Sequence, residues 1–407
     1  MSSFTVEDES ACTNILKTET ETETEQVIAV QKWDEMDLRD DLLRGIYAYG
    51  FEEPSDIQKK AVVPMTQKRD ILAQAHSGGG KTGTFSIGSL QQIDTSQSCT
   101  QSLILAPTHE LVRQIANVIM NLAAHMDNVV VKTLVGGTPI RGDIDSLEAT
   151  PPHVVVGSVG RVFDMLYKRH LDISKLKVFV LDEADEMLSR GFGEQIQEMF
   201  RHYVPVKSQV AFFSATMPDE MVTLCNRILQ NPVRIRVKAE ELSLKAIEQY
   251  YVALPNDDMK FDTIKDLFSV INVTQCIIYC NSVRRVEHLA HAMEKDGHSV
   301  HCIHSSMDKA HRQEVLDKFR SGGIRVLISS DVTARGIDVQ QVGVVVNFDI
   351  PRNVHTYLHR IGRSGRWGRK GCSINLVTRR DIQDMRQIEQ FYSITIQELP
   401  ANFSYST

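Results

Sequence analysis

The chain has 407 residues, 42% apolar and 24% charged, which is too long for one typical core and excludes a collagen-like or wholly disordered chain. Seven scattered cysteines form no C-x-x-C pair, which argues against disulfides and zinc and for a reducing compartment, cytoplasmic or nuclear. Of the net charge of −7, residues 1–30 carry −6 through seven acids and one lysine, so a grip on nucleic acid must come from local basic surface elsewhere.

Residues 1–30 include the alternating run Thr18-Glu19-Thr20-Glu21-Thr22-Glu23-Thr24-Glu25. That stretch has too little apolar surface to offset the entropy of ordering it and reads as a disordered acidic tail. It lacks the basic start and apolar centre of a secretory signal, and no later run is as long as a membrane span. Beyond Trp33, Leu38, Leu42, Leu43 and Ile46 are spaced as on a helix, and Pro54-Ser55 opens another. From Ile71 apolar runs alternate with amphipathic segments: Leu103–Ala106, Val129–Val135, Val154–Val156, Val178–Leu181, Val210–Phe213 and Val233–Val237. Continuous β-branched runs of this kind are strands of a parallel sheet covered on both faces. A charged stretch at 238–246 interrupts the alternation and reads as a linker. The pattern then resumes at Gln249–Ala253, Cys276–Cys280, Val300–Ile303, Val326–Ile328, Val342–Phe348 and Ser373–Val377. The expected architecture is two α/β domains, 31–237 and 247–407.

Three stretches carry chemistry. Ala75-His76-Ser77-Gly78-Gly79-Gly80-Lys81-Thr82 lies between an apolar run and a helical one. Glycines there let backbone N–H groups turn toward phosphate oxygens at a helix N-terminus, while Lys81 reaches the outer phosphates and the Thr82 hydroxyl faces Mg²⁺. An exposed glycine loop that binds nothing is the plain alternative, and Lys-Thr directly after three glycines argues against it. Asp182-Glu183-Ala184-Asp185 follows the run Val178–Leu181, at the strand end where ligands bind in such sheets. Asp182 is placed to hold Mg²⁺ through water and Glu183 to orient or deprotonate the attacking water; helix capping alone would use the same residues. His359-Arg360-Ile361-Gly362-Arg363-Ser364-Gly365-Arg366 sits in a stretch, Pro351 to Arg380, with eight Arg or Lys and no acid. Arginines three apart are expected on one helix face, with Arg363 and Arg366 as arginine fingers supplied across a domain cleft.

Taken together, these motifs resemble those of the DEAD-box RNA helicases, over about Trp33 to Pro400, and within that family the initiation factor 4A branch. The resemblance implies two RecA-like parallel-sheet domains joined by a short linker, closing on ATP, Mg²⁺ and RNA. It assigns Phe51 and Gln58 to the adenine-recognising Q motif, with Trp33 as the upstream aromatic. Ser77, Gly78, Gly79, Gly80, Lys81 and Thr82 form the phosphate loop, and Gly336 and Asp338 join the nucleotide site from the second domain. Thr108, Gly137, Arg161 and Arg335 would hold the RNA backbone, and Ser214 and Thr216 would couple the two sites. It further implies a monomer working with a scaffold of the initiation factor 4G type, in translation initiation, with a role in RNA processing as the alternative.

The chain departs from the family pattern at Gly79, where Thr is usual, and at His109 and Val159, where Arg and Pro are usual. Ser305-Ser306 replaces Gly-Asp, Lys309 replaces Gln, Ser330 replaces Thr, and Glu53 stands where a basic residue is usual. The altered RNA motifs leave open a second reading, an ATP-dependent RNA clamp with little turnover. At neutral pH an imidazole of ordinary pKa, ~6.5, lacks most of the charge that a guanidinium would carry. Proline at 159 would fix φ at a helix start. The double variant His109→Arg, Val159→Pro is therefore expected to tighten RNA binding by on the order of 1 kcal/mol per phosphate contact regained and to steepen the salt dependence by about one ion. Filter binding across a salt series checks this; unchanged affinity and slope would count against it.

Overall fold

The computed structural model of the chain describes residues 28–75, 78–236, 247–272, 275–331, 342–364, 371–400, 403, 405 and 406. The acidic run 18–25, most of the expected tail and the expected linker 238–246 lie outside the described residues.

The apolar runs of the first half form β1 (Ile71–Gln74), β2 (Ser102–Leu105), β3 (Val131–Leu134), β4 (Val154–Gly157), β5 (Val178–Asp182), β6 (Gln209–Ser214) and β7 (Val233–Arg236). They make one parallel sheet in the order β3-β4-β2-β5-β6-β1-β7. In the second half lie β8 (Ile247–Ala253), the short β9 (Ile271–Asn272), β10 (Gln275–Tyr279), β11 (Val300–Ile303), β12 (Val326–Ser329), β13 (Val342–Asn347), β14 (Gly371–Val377), β15 (Gln397–Glu398) and β16 (Tyr405–Ser406). All but β9 and β16, which pair with each other, form a second parallel sheet in the order β11-β12-β10-β13-β14-β8-β15.

Alternate residues of each strand feed different cores, which is why the runs read as continuously apolar. Ile71, Ile104, Val180, Ala211 and Phe213 pack with the helices Asp56–Thr66, Lys81–Gln92 and His109–Leu122 on one face. Leu72, Leu103, Phe179, Leu181 and Phe212 face Val162, Met187, Met199 and Met221 on the other. Each such side chain, fully buried, contributes about 1.5–3 kcal/mol, and a helix on each face hides both sets. The second sheet repeats the arrangement: Cys276 and Ile278 enter one core, Ile277 and Tyr279 the other. Burial pushes the Cys276 thiol up to about 12, so it packs as a small apolar side chain. No helix among the described residues is long and apolar enough to cross a membrane.

Parallel strands all point the same way, so their connecting loops gather the polar residues at one end. Ala75–Gly80 follows β1, Thr108 follows β2, Gly137 follows β3, Ser158 follows β4, Glu183 follows β5 and Thr216 follows β6. One edge of one sheet thus carries the described residues Gly78–Thr82, Thr108, Gly137, Asp182, Glu183, Ser214 and Thr216.

Candidate active site

The phosphate loop leaves β1 and runs directly into the helix Lys81–Gln92, three residues earlier than the apolar pattern from Thr84 indicates. Gly78 and Gly80 have φ of +84° and +101°, the left-handed region in which glycine alone is unstrained. The Q motif braces this turn. Ser55 caps the helix Asp56–Thr66 in a reciprocal capping box with Gln58, whose Oε1 accepts from the Ser55 N–H at 2.7 Å. The Ser55 hydroxyl donates to the Gly79 carbonyl at 2.9 Å, and Gln58 Nε2 to the Gly80 carbonyl at 3.4 Å. A Cβ on Gly80 would lie 2.2 Å from Ser55 Oγ, and one on Gly83 would lie 2.5 Å from Gln58 Nε2 and 2.9 Å from the Phe51 ring. Phe51 is stacked on buried Trp33 with ring centroids 6.3 Å apart, and Tyr49 meets it edge-on at 4.9 Å. Trp33, at 1% exposure, is enclosed and supports Phe51 from behind.

At the end of β5 the backbone turns sharply. Glu183 holds φ at +52°, a left-handed conformation that costs a non-glycine residue about 1 kcal/mol. The turn aims buried carboxylates at the phosphate loop: Lys81 Nζ lies 3.2 Å from Glu183 Oε1, both side chains almost wholly enclosed. Burial first, then the neighbouring Glu183 carboxylate, push the Asp182 carboxyl above the usual carboxylate range against the pull of Lys81. Hard oxygen donors on Asp182 and Thr82, beside the glycine turn, suit Mg²⁺. Asp185 accepts from the Ser214 and Thr216 hydroxyls, each at 2.6 Å. From the second domain, His359 Nε2 comes to 3.7 Å from Asp185 Oδ2.

The residues expected to hold RNA are positioned by local capping. Thr108 caps the helix His109–Leu122, accepting from the Leu111 N–H at 3.2 Å, which places His109 in its first turn. Gly137 has φ of +77° in the turn after β3. Val159 is buried in the first turn of the helix Val159–Tyr167. Arg161 is 7% exposed, and its guanidinium is engaged by Asp143, by the Thr138 hydroxyl at 3.1 Å and by the Thr138 carbonyl at 2.7 Å. It braces the Gly137 turn from within. Ser305 and Ser306 are exposed after β11.

One expectation needs correcting. Arg360 and Arg363 do not share a helix face: the helix Val354–Ile361 ends at the Gly362 cap, so Arg360 lies on it and Arg363 just past it. A Cβ on Gly362 would stand 2.9 Å from the Leu358 carbonyl, which marks a tight turn where the face would have continued. Arg363 is buried, its Nε donating to the His359 carbonyl at 3.1 Å. Arg360 is fully buried in a network of its own. Ser77, Arg335, Gly336, Asp338 and Arg366 lie outside the described residues, as does the side chain of Lys309.

Contacts between the domains appear that the sequence does not flag. Glu110 accepts from Arg312 Nε at 2.9 Å and Nη2 at 2.8 Å, and Arg113 donates to Gln313 at 3.0 Å. Together with His359 and Asp185 they close the first sheet's polar edge against the second domain. Spacing gives no warning of partners 200 residues apart. The Ser55 brace, in contrast, has a local signal, Ser-x-x-Gln before an apolar run.

Two family models match the chain: DEAD/DEAH box helicase over residues 55–224 and helicase conserved C-terminal domain over residues 259–368. An ATP-dependent RNA helicase eIF4A from Eremothecium gossypii is 51% identical over 375 residues, 92% of this chain and 94% of that one. The ATP-dependent RNA helicase fal1 of Schizosaccharomyces pombe is 48% identical over 381 residues, 94% and 96% of the two chains. Among solved structures, Saccharomyces cerevisiae Dbp5 bound to RNA and ADP BeF3 superposes with a TM-score of 0.82 at 31% identity, covering 90% of this chain and 95% of that one. A variant of Dbp5 bound to Nup159, Gle1, IP6 and ADP gives a TM-score of 0.65 at 30% identity, with coverage of 90% and 96%.

Gly83 supplies a test of the Q-motif brace. Gly83→Ala is expected to displace Gln58 and Phe51 and to weaken ATP binding about tenfold, since a misplaced hydrogen bond and ring contact together cost about 1–2 kcal/mol. Binding of inorganic triphosphate, which has no base, should hardly change. Equal losses for the two ligands would refute a role for this corner in holding the base.

Proposed function

The chain belongs to the DEAD-box helicase family, in its eIF4A-like branch, and from that premise we propose how its residues divide the work. It is an ATP-dependent RNA helicase and therefore an RNA-dependent ATPase. The observation that carries the proposed division is the buried cluster in which Lys81 meets Glu183, while Asp185 meets Ser214, Thr216 and His359 of the other domain.

With no phosphate present Lys81 neutralises Glu183, which keeps two buried charges paired. ATP phosphates offer Lys81 a stronger set of charge-assisted partners, and its departure leaves Glu183 to orient the attacking water and accept its proton. Mg²⁺, held by Thr82 and, through water, Asp182, would supply neutralisation of phosphate charge. Phe51 and Gln58 hold the base, and the backbone of Gly78, Gly79 and Gly80, with Ser77, surrounds the phosphates. Arg363 and Arg366 meet the outer phosphate only when the domains are closed, and Gly336 and Asp338 complete the site from the same side. RNA lies across both domains against the helix ends capped by Thr108 and Ser158, the Gly137 turn and Arg335, with Arg161 holding that turn in shape. Contacts of this kind read backbone and not bases, so sequence preference is weak. A strand bent over two domains no longer fits a duplex, so binding itself separates strands locally. Ser214 and Thr216 link the two events, because the carboxylate they hold is the one His359 approaches.

The match to Dbp5 bound to RNA and ADP BeF3 supports reading the interdomain contacts as those of the closed state. By the same likeness to initiation factor 4A, the chain acts in the cytoplasm in translation initiation, beside a scaffold of the initiation factor 4G type.

RNA-stimulated ATP hydrolysis is the direct test. The wild-type chain should hydrolyse ATP faster with single-stranded RNA, and Lys81→Ala should abolish turnover while keeping the fold, with a melting temperature a few degrees lower because Glu183 is left buried without its cation. Wild-type turnover by Lys81→Ala would remove this loop from the mechanism. Arg366→Ala should leave ATP affinity of the RNA-free protein unchanged and lower kcat by about 10³-fold or more, as loss of an arginine finger does. Equal damage to ATP binding in the RNA-free protein would contradict a cross-cleft role.

A further inference from the structure

At the pole of the first domain opposite the phosphate loop, a cavity of about 650 Å³ opens between the loops that enter β1, β6 and β7. A volume of this size suits a small ligand or a short stretch of peptide. Of the side chains lining it, Lys68, Arg201, Lys207 and Arg227 are exposed, while Phe200, Val204 and Ile228 are half-buried. Cations thus stand around an apolar patch. Val206, on the same lining, is 84% exposed, a branched apolar side chain left in water. Arg201 is paired with Glu198 on its own helix. Among the described residues, Lys68, Lys207 and Arg227 have no ion-pair partner.

The loops are tied together without any ligand. Asp70, the one acid among the described lining residues, accepts from the Val210 N–H at 2.8 Å and from the Gln230 N–H at 2.7 Å. Its two oxygens therefore join all three loops. Buried Gln209 donates from Nε2 to the Arg69 carbonyl at 2.5 Å and to the Met65 carbonyl at 3.1 Å. The backbone N–H groups of Lys68, Arg69 and Ser208 are spent on the carbonyls of Met65, Pro64 and Pro205. Compact phosphate groups are held by converging backbone N–H groups, which are taken here, and would meet the Asp70 carboxylate besides. A ligand whose negative charge is spread out, with an apolar middle, fits both the cations and the patch.

We propose that this cavity is a docking site for an acidic peptide segment of a partner protein, one that carries a large apolar side chain among its carboxylates. The apolar side chain covers Phe200, Val204, Val206 and Ile228, and the carboxylates meet Lys68, Lys207 and Arg227. The apolar contact supplies affinity, and the charges steer the approach. The chain's own run Thr18–Glu25 alternates threonine with glutamate and has no apolar side chain, so it lacks what the patch takes. Lys81 and Glu183 lie at the other ends of the strands, so a partner can dock here without covering them.

The test uses the full chain and labelled heptapeptides of glutamate whose central residue is glycine, leucine or phenylalanine, read by fluorescence polarisation. Affinity should rise about tenfold from the glycine to the phenylalanine peptide, as burial of a large apolar side chain predicts. The variant Lys68→Glu, Lys207→Glu, Arg227→Glu should lose at least about tenfold in affinity for the phenylalanine peptide. Val206→Ser, at an exposed position that the fold does not need, should weaken the phenylalanine peptide a few-fold and leave the glycine peptide unchanged. No binding by any of the peptides, or affinity indifferent to the central residue, would overturn the proposal. So would displacement of the phenylalanine peptide at constant ionic strength by inorganic tripolyphosphate, which assigns the cavity to phosphate, or by single-stranded RNA, which assigns it to nucleic acid. Tighter binding of a peptide of residues 18–25 than of the glycine peptide would give the site to the chain's own acidic run and overturn the partner.

Discussion

Both halves of the site close on the carboxylate of Asp185. Its two oxygens accept from Ser214 Oγ and Thr216 Oγ1, each at 2.6 Å, so the end of β6 is tied to the turn after β5. Short bonds of this kind to a buried carboxyl group fix the orientation of its plane. That orientation leaves Oδ2 facing His359, 3.7 Å away on the other domain. A rotated carboxylate would lose one hydroxyl and the facing imidazole together. The same turn carries Asp182 and Glu183, so any movement that disturbs the interdomain contact is felt at Lys81 within two residues.

The closed arrangement has a second, separate support. Glu110 and Arg312 pair through both Nε and Nη2, each residue only 12% exposed, at the helix expected to hold RNA. A two-point, largely enclosed pair is costly to break once formed, because either partner alone is left charged and poorly solvated. Contact through Asp185 beside the proposed nucleotide site and through Glu110 beside the proposed RNA site would make the two share one interface. Neither ligand can favour closure without favouring the geometry the other needs.

Much of this was legible in the sequence because parallel sheets write themselves plainly. Strands with both faces covered must be apolar at consecutive positions, and Val154–Val156 and Val178–Leu181 could be little else. Glycine-rich loop, Lys81 and the acids after β5 were legible for a similar reason, since each chemistry tolerates few residue types. Pairings that depend on strand order were not. Arg161 reads as a free cation for phosphate until β3 and β4 are seen side by side, which brings the loop holding Thr138 and Asp143 against its guanidinium. Arg360 and Arg363 read as one helix face because spacing cannot reveal where Gly362 ends the helix. Arg360, Asp331 and Asn281 come together only through the order β12-β10-β13, which no local pattern encodes.

The matching strand orders also bear on why the proposed nucleotide site lies in one domain and not in the other. Position for position, β8 occupies the place of β1 and β13 that of β5. The helix after β8, Met259–Val270, carries Lys260 in its first turn, as the helix after β1 carries Lys81. The two lysines meet different surroundings. Lys260 is 1% exposed, with Nζ 3.2 Å from Asp257 and 3.4 Å from both Asp349 and Asp381. Arg285 enters the same cluster at 2.7 Å from Asp349. Three carboxylates occupy the space that a phosphate group needs, and they would repel it at short range in a medium of low dielectric. The connection itself, Leu254-Pro255-Asn256-Asp257-Asp258, has no glycine to turn its N–H groups inward. Three internal acids match the buried lysine of this domain, whereas Lys81 is paired with Glu183 alone, a partner that phosphates could replace. Because these acids belong to the chain itself, the second domain keeps its strand ends fixed without a ligand, and Asp349 thereby holds in place the carbonyl to which Arg360 Nη1 donates at 2.7 Å.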